Sequence, residues 1–591
     1  MPAAARPGVN GTRGLRVQEV TLMHLSRRHR LSALGAALLA TPVLLGAVPA
    51  ATTTASALDG VEAPAQLNYV AKVNVGEQAA CTGTLIDPQW VLTAATCFAA
   101  DGELSAGKPA VTTTVTVGRT DLSETNVSVQ QALWLVPHAD RDLVLVRLAA
   151  RITDPTVKPV GLATTPAVAG EKLTQAGFGR TKTEWVPDKL HTGTFTVVST
   201  ATTTVDLDGS DGATVCKGDA GGPALRTVNG TTELVAINSR SWQGGCLGND
   251  PTETRTGAVD TRVDDLGSWV KEVFSREKIT PADIDGDGKD DLVLQRIDGS
   301  VVVHRNLGTS FGAGTVMSAG WSRFLTGTDM GRLYFADITG DGKADLIVHG
   351  TDGNVSVRRN MGTYFDGGTH WSAGWGRFVT GTDMGRLYFA DITGDGKADL
   401  IVHGTDGNVS VRRNMGTYFD GGTHWSAGWG RFVTGTDMGR LYFADITGDG
   451  KADLIVHGTA GNVSVRRNMG TYFDGGTHWS AGWGRFVTGT DMGRLYFADI
   501  TGDGKADLIV HGTDGNVSVR RNMGTYFDGG THWSAGWGRF VTGTDMGRLR
   551  FGDSTGDGKA DLFVHTIADG KVAVRRNMGT YFDGGTVMIT L

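Results

Sequence analysis

An apolar run from Leu31 to Val48 follows Arg27, Arg28 and Arg30 and ends in small residues. A basic flank before a short apolar core is the pattern of a secretory signal peptide, so residues 1–57 are assigned to a signal region outside the fold. Ala55-Ser56-Ala57 offers the cleavage site, with Val48-Pro49-Ala50 an earlier alternative, and Met23 is a better initiator than Met1, which leaves residues 1–22 untranslated. The run is 18 residues long with internal Gly and Pro, at the short end for a bilayer, so no stable membrane span is expected once the signal is removed. From Leu58 to Ser275 short apolar stretches separated by turns predict β-strands. Only at Asp264–Phe274 do Leu266, Trp269, Val270, Val273 and Phe274 recur at helical spacing, so one terminal helix closes an all-β domain.

A charged linker, 276–281, leads into residues 282–591, where the pattern becomes a strict repeat. Asp283, Asp337, Asp391, Asp445, Asp499 and Asp553 are each 54 positions apart. Within a unit, Arg332–Phe335, Leu346–His349 and Val355–Arg358 read as strands, the last two joined by a tight turn at Asp352-Gly353. Four short strands per unit make one propeller blade, and a ring of blades buries apolar faces that a lone hairpin cannot. The motif count predicts six blades, with seven the alternative; the final unit stops early at Leu591, which predicts a blade shared between the two ends.

Asp337, Thr339, Asp341 and Asp345 place oxygen ligands at positions 1, 3, 5 and 9 of a loop, with Gly342 at the sharp turn, which is the first part of a calcium loop. The same set recurs as Asp391, Thr393, Asp395 and Asp399; as Asp445, Thr447, Asp449 and Asp453; as Asp499, Thr501, Asp503 and Asp507; and as Asp553, Thr555, Asp557 and Asp561. The first copy, Asp283, Asp285, Asp287 and Asp291, is the most acidic and is expected to bind calcium tightest. These units resemble the FG-GAP/VCBS-type repeats of integrin-like and fungal-lectin propellers. His370-Trp371, His424-Trp425, His478-Trp479 and His532-Trp533 read as blade-packing core, with sugar stacking the lesser alternative, and His349 and His403 read as structural.

In the first domain three segments resemble the trypsin/chymotrypsin-like serine peptidase family. They are Cys81-Thr82-Gly83-Thr84-Leu85-Ile86 to Thr93-Ala94-Ala95-Thr96-Cys97, Asp142-Leu143-Val144-Leu145, and Cys216-Lys217-Gly218-Asp219-Ala220-Gly221-Gly222-Pro223. The resemblance implies a double β-barrel with disulfides Cys81–Cys97 and Cys216–Cys246. It places the triad carboxylate at Asp142, but Thr96 stands at the histidine position and Ala220 at the serine position. Acyl transfer on this scaffold needs an imidazole base and a hydroxyl nucleophile; the Thr96 hydroxyl has no useful basicity at neutral pH and Ala220 has no heteroatom. The binding half persists: Gly218 and Ala220 for an oxyanion hole, Asp219 to pair with the α-amino group, and Thr214, Ser241 and Trp242 around the specificity pocket.

Composition refines this picture. Of 87 glycines, 60 lie in 276–591 and 27 before, so the excess belongs to the repeat, and only 15 prolines exclude a collagen-like chain. Lys+Arg 55 against Asp+Glu 62, with no long basic run, argues against a nucleic-acid partner. The reading is a secreted, extracellular, non-catalytic trypsin-like domain on a calcium-binding propeller, with a protein, peptide or cell-surface glycan ligand. Two alternatives stand beside it: an active serine endopeptidase targeted by its propeller, and a lectin or adhesin.

Overall fold

The computed structural model describes residues from Val61 onward, except 63, 78, 100–103, 125–127, 327–331, 377, 379–385, 431, 433–439, 485, 487–493, 539, 541–546 and 568–569. The signal region lies outside the described residues. The chain is all-β, and the described helices are short.

Strands Val70–Val75, Ala79–Asp87, Trp90–Thr93, Val144–Leu148, Ser128–Pro137 and Thr113–Val117 close into a barrel in that order. The central strand Val144–Leu148 is buried along its whole length, which is why it reads as a continuous apolar run interrupted only by Arg147. A second barrel runs Lys172–Gly177, His191–Thr200, Thr204–Gly209, Ala258–Arg262, Thr231–Ser241 and Pro223–Val228, closed by pairing of its last strand with its first. In His191–Thr200 buried and half-buried positions alternate, so one face meets the core made by Phe195, Val197 and Leu207. The terminal helix spans Gly267–Phe274, three residues later than the sequence implies, because the Asp264 carboxylate is held by Arg262 at 2.8 Å outside the helix. Its Trp269 meets His138 edge-on and its Phe274 stacks on Trp90.

The propeller has six blades, each a four-stranded antiparallel sheet. Two expectations are corrected. Strand Lys278–Ala282 is the innermost strand of the first blade, so most of the stretch read as a linker belongs to the sheet; Ile279 is buried there and pairs with Leu294. No blade is shared between the ends, since the last holds all four of its strands, Gly547–Gly552, Asp561–Thr566, Lys571–Arg575 and Thr586–Thr590.

Each blade is latched to the one before it. Asn360 Nδ2 donates to Ile284 O at 2.8 Å and to Ala344 O at 3.0 Å, and Asn414, Asn468, Asn522 and Asn577 repeat the pattern. Asn306 closes the ring by donating to Ser554 O at 2.9 Å. Trp371, Trp425, Trp479 and Trp533 are each 5% exposed and pack edge-on or tilted against a phenylalanine of the next blade, as core residues.

The first barrel and the propeller meet at a buried fork. Arg147, 2% exposed, donates from Nε and Nη2 to the two oxygens of Glu277 at 2.6 and 3.1 Å, and Glu277 Oε1 also accepts the N–H of Ile297. Ile297, from the first blade, is fully buried among barrel side chains.

Candidate functional site

Thr96 lies in a single 3-10 turn, Ala95–Cys97, just after strand Trp90–Thr93; Asp142 lies just before Val144–Leu148, and the two strands are paired. That pairing brings the two positions together. Asp142 Oδ1 accepts the Thr96 N–H at 2.8 Å, and Oδ2 accepts the Thr96 hydroxyl at 3.2 Å. Ser239, on the second barrel, also donates to Asp142 Oδ2, at 2.6 Å. The carboxylate that would orient a base is thus occupied by two hydroxyls and an N–H, none of which can take a proton at neutral pH. His138 faces Trp269 instead, and His191 lies in a strand of the second barrel.

Ala220 presents only a methyl group, and its carbonyl accepts the Thr82 N–H at 3.0 Å. Both disulfides form, Cys81–Cys97 beside Thr96 and Cys216–Cys246 beside the loop. Thr214 is fully buried, with no partner for its hydroxyl. Ser241 donates to Val215 O at 2.5 Å, and Trp242 lies exposed under the Arg255 guanidinium, 3.7 Å from its ring centroid. Asp219 makes its bonds to the N–H groups of Gly179, at 2.7 Å, and Cys216, at 2.9 Å. Burial pushes its carboxyl up to about 6, against the pull of those bonds and of Lys72.

The repeated acidic loops share one geometry. Asp337 accepts the N–H groups of Gly340 at 2.6 Å and Gly342 at 2.8 Å, and both glycines hold φ near +80°, which only glycine adopts without strain. Asp345 is fully buried and accepts N–H groups from Ile338, Thr339 and Asn360. In the first copy, oxygens of Asp283, Asp285 and Asp287 lie within 4.8 Å of one another, a hard-oxygen set that fits calcium. That copy also carries its own cations: Arg305 pairs with Asp285 at 3.1 Å and Asp291 at 3.2 Å, and Lys289 with Asp287 at 2.9 Å. A metal there must displace them.

Sequence reasoning passed over a second set of tryptophans. Trp321, Trp375 and Trp483 each wall a cleft between adjacent blades, of about 430, 560 and 550 Å³. The cleft at Trp375 is completed by Asp406, Asn408, Ser410, Arg412 and His424, with the Arg412 guanidinium 4.9 Å from the Trp375 ring centroid. Equivalent residues line the other two. At the corresponding position of the fourth blade the aspartate is Ala460.

Two six-stranded barrels with a held carboxylate at Asp142 and a glycine-rich loop at 216–222 define a trypsin-like scaffold, followed by a propeller of Asp/Gly-loop blades. The Trypsin family profile matches residues 58–270, and the FG-GAP-like repeat profile matches five overlapping segments between 283 and 564. An uncharacterized peptidase of Corynebacterium glutamicum is 30% identical over 216 residues, covering 36% of this chain and 70% of that one. Kallikrein 1-related peptidase b22 of Mus musculus is 27% identical over 219 residues, covering 33% of this chain and 80% of that one. A solved lectin of Agrocybe aegerita, described as recognising non-reducing terminal N-acetylglucosamine, aligns over 72% of this chain and 92% of its own at 22% identity, with a TM-score of 0.41. The chain belongs to the trypsin-like serine peptidase family and carries FG-GAP-like repeats in a six-bladed propeller.

Proposed function

We propose that this is a secreted, non-catalytic trypsin-like binding protein whose propeller is calcium-loaded. The observation that carries the reading is the state of Asp142: its oxygens are held by Thr96 and Ser239, with no imidazole beside them and no heteroatom at Ala220. On such scaffolds, loss of triad members leaves roughly 10³–10⁴ of acceleration over water, far below a working protease. The Gly218 and Ala220 N–H groups, free of protein acceptors among the described residues, support the reading that the domain holds peptide segments without cutting them. The two disulfides agree with an oxidising, extracellular site of action. Incubation of the purified chain with a fluorogenic peptide library and a serine-directed phosphonate tests this: no turnover and no covalent label are expected, and either one refutes it.

A second reading concerns the propeller, and the recurring clefts favour it. An indole wall, a stacked Arg, an Asp/Asn pair and a Ser/His pair in one cleft suit a ligand with a ring face and several hydroxyls, such as a terminal sugar. A glycan array read with intact protein and with Trp375→Ala tests it; no hit, or hits indifferent to that change, counts against sugar binding in these clefts.

A further inference from the structure

The scaffold buries a pair of opposite charges that neither reading uses. Lys72, in strand Val70–Val75, is 5% exposed, and Asp219 is 2% exposed. Lys72 Nζ donates to the carbonyl of Phe178 at 2.8 Å. The N–H of that same peptide unit, carried by Gly179, donates to Asp219 Oδ1 at 2.7 Å. One peptide group therefore lies between an ammonium and a carboxylate, its oxygen toward the cation and its hydrogen toward the anion. Both ends of its dipole are stabilised, and each buried charge gains a polar neighbour, which for Asp219 adds to the Cys216 N–H.

The chain makes room for this arrangement. A Cβ at Gly177 would lie 2.0 Å from Asp219 Oδ1, and one at Gly179 would lie 2.5 Å from it. Thr82 adds a second tie, its hydroxyl accepting the Phe178 N–H at 3.0 Å and donating to Gly218 O at 2.9 Å. Arg180 N–H donates to Lys217 O at 3.0 Å. In a trans peptide the N–H points opposite to the C=O, so the Gly218 N–H is turned away from this buried side. Gly218 holds φ +101°, and among the described residues neither its N–H nor that of Ala220 reaches a protein acceptor. Two free donors on one short loop form an anion pocket.

We propose that Lys72 is the internal counter-charge that locks this loop in its anion-binding form. The pocket at Gly218 and Ala220 then exists whatever group the amino terminus carries, ready to take a carbonyl or carboxylate oxygen of a peptide ligand. Lys72 is a positioning residue, acting through the Phe178–Gly179 peptide and Asp219. Loss of its charge leaves Asp219 buried beside a peptide polarised from one side only, and the loop is free to turn the Gly218 N–H inward.

The test restores a reporter to the pocket. A full-length chain carrying Thr96→His and Ala220→Ser is made in two forms, one with an uncleaved N-terminal tag and one processed to a free amine near residue 58. Both are treated with a small alkyl fluorophosphonate. Equal labelling of the two forms is expected, because no freed amine is required. In the tagged form, adding Lys72→Met should slow labelling about a hundred-fold, the scale of losing one oxyanion donor, and Lys72→Arg should recover most of it. Labelling that appears only in the processed form overturns the proposal, as does Lys72→Met labelling at the parent rate, or no labelling of either form. The tag comparison leaves Lys72 untouched, so a Lys72→Met chain that fails to fold does not protect the proposal. Labelling of the unaltered chain would instead refute the non-catalytic reading and leave this one standing.

Discussion

Asp260 offers a sharp test of how the second barrel is held together. It lies in strand Ala258–Arg262, is fully buried, and accepts one bond, from Gln175 Nε2 at 2.7 Å. Its other oxygen and the Gln175 carbonyl oxygen have no partner. Burial, partly offset by the Gln175 bond, pushes the Asp260 carboxyl up to about 8 from an ordinary 3.8. A carboxyl with a raised folded pKa holds its proton more tightly in the folded state, so its contribution to stability falls as pH rises from about 4 to about 8 and is level above that. Between pH 5 and pH 8, at about 1.4 kcal/mol per unit, the loss is at most about 4 kcal/mol; relaxation of the site should reduce it to about 2. Asp260→Asn removes the charge, keeps the shape, and gives the amide a donor for the free Gln175 oxygen. The variant should therefore gain about 2 kcal/mol over the parent at pH 9 relative to the difference at pH 5. Urea unfolding of both chains at pH 5, 7 and 9, with calorimetry to assign the barrel transition, measures it. Asp87, Asp219 and Asp290 also have raised carboxyls, but they are common to both chains and cancel in the difference. A stability difference that does not change with pH, or an Asn variant less stable at pH 9, would refute the reasoning.

Three further outcomes are expected. Burial lowers His349, His403, His457 and His511 to about 4, and a depressed histidine removes stability as pH falls from about 6.5 through 4; the propeller transition in calorimetry should drop across that window, and a flat profile would contradict it. Arg147→Met leaves the half-buried Glu277 without its guanidinium partner, at a cost below the roughly 3–5 kcal/mol of a fully buried pair, and should lower the barrel transition relative to the propeller transition; an unchanged gap between the two would show the fork to be unimportant. EDTA should lower the propeller melting temperature, and Asp337→Ala, which strips two glycine N–H groups of their acceptor, should reduce the response to added calcium; an EDTA-insensitive melt rules out structural calcium.

Much of this architecture is legible because repetition is written in linear order, and the resemblance to serine peptidases implies the disulfide pairs. Asp283 to Asp553 declared the blades, and the absence of a heteroatom at Ala220 needed no coordinates. The shared blade was misjudged because the unit was counted from its Asp loops, although the sheet begins five residues earlier, at Lys278. Lys72 was invisible, since a lone lysine in an apolar strand looks like a surface position until Phe178, a hundred residues later, is brought against it. Ser239 carries no sequence signal either, since only the packing of one barrel on the other brings its hydroxyl to Asp142. The tryptophans of the clefts sit beside connector loops, where periodicity gives no direction for the side chain.

The latch from Asn360 to Ile284 runs one way: every blade reaches back to its predecessor, and the first reaches back to the last. In symmetry terms the propeller is a heterologous, head-to-tail assembly that happens to be covalently joined, and its ring closes because six rotations bring the final face onto the first. Deleting one near-identical unit leaves the same two complementary faces on chain ends that must now meet over a different angle. Such a chain has two resolutions, a strained smaller ring or end-to-end polymers, and the repeat number is therefore fixed by geometry even though recombination between identical units can change it freely.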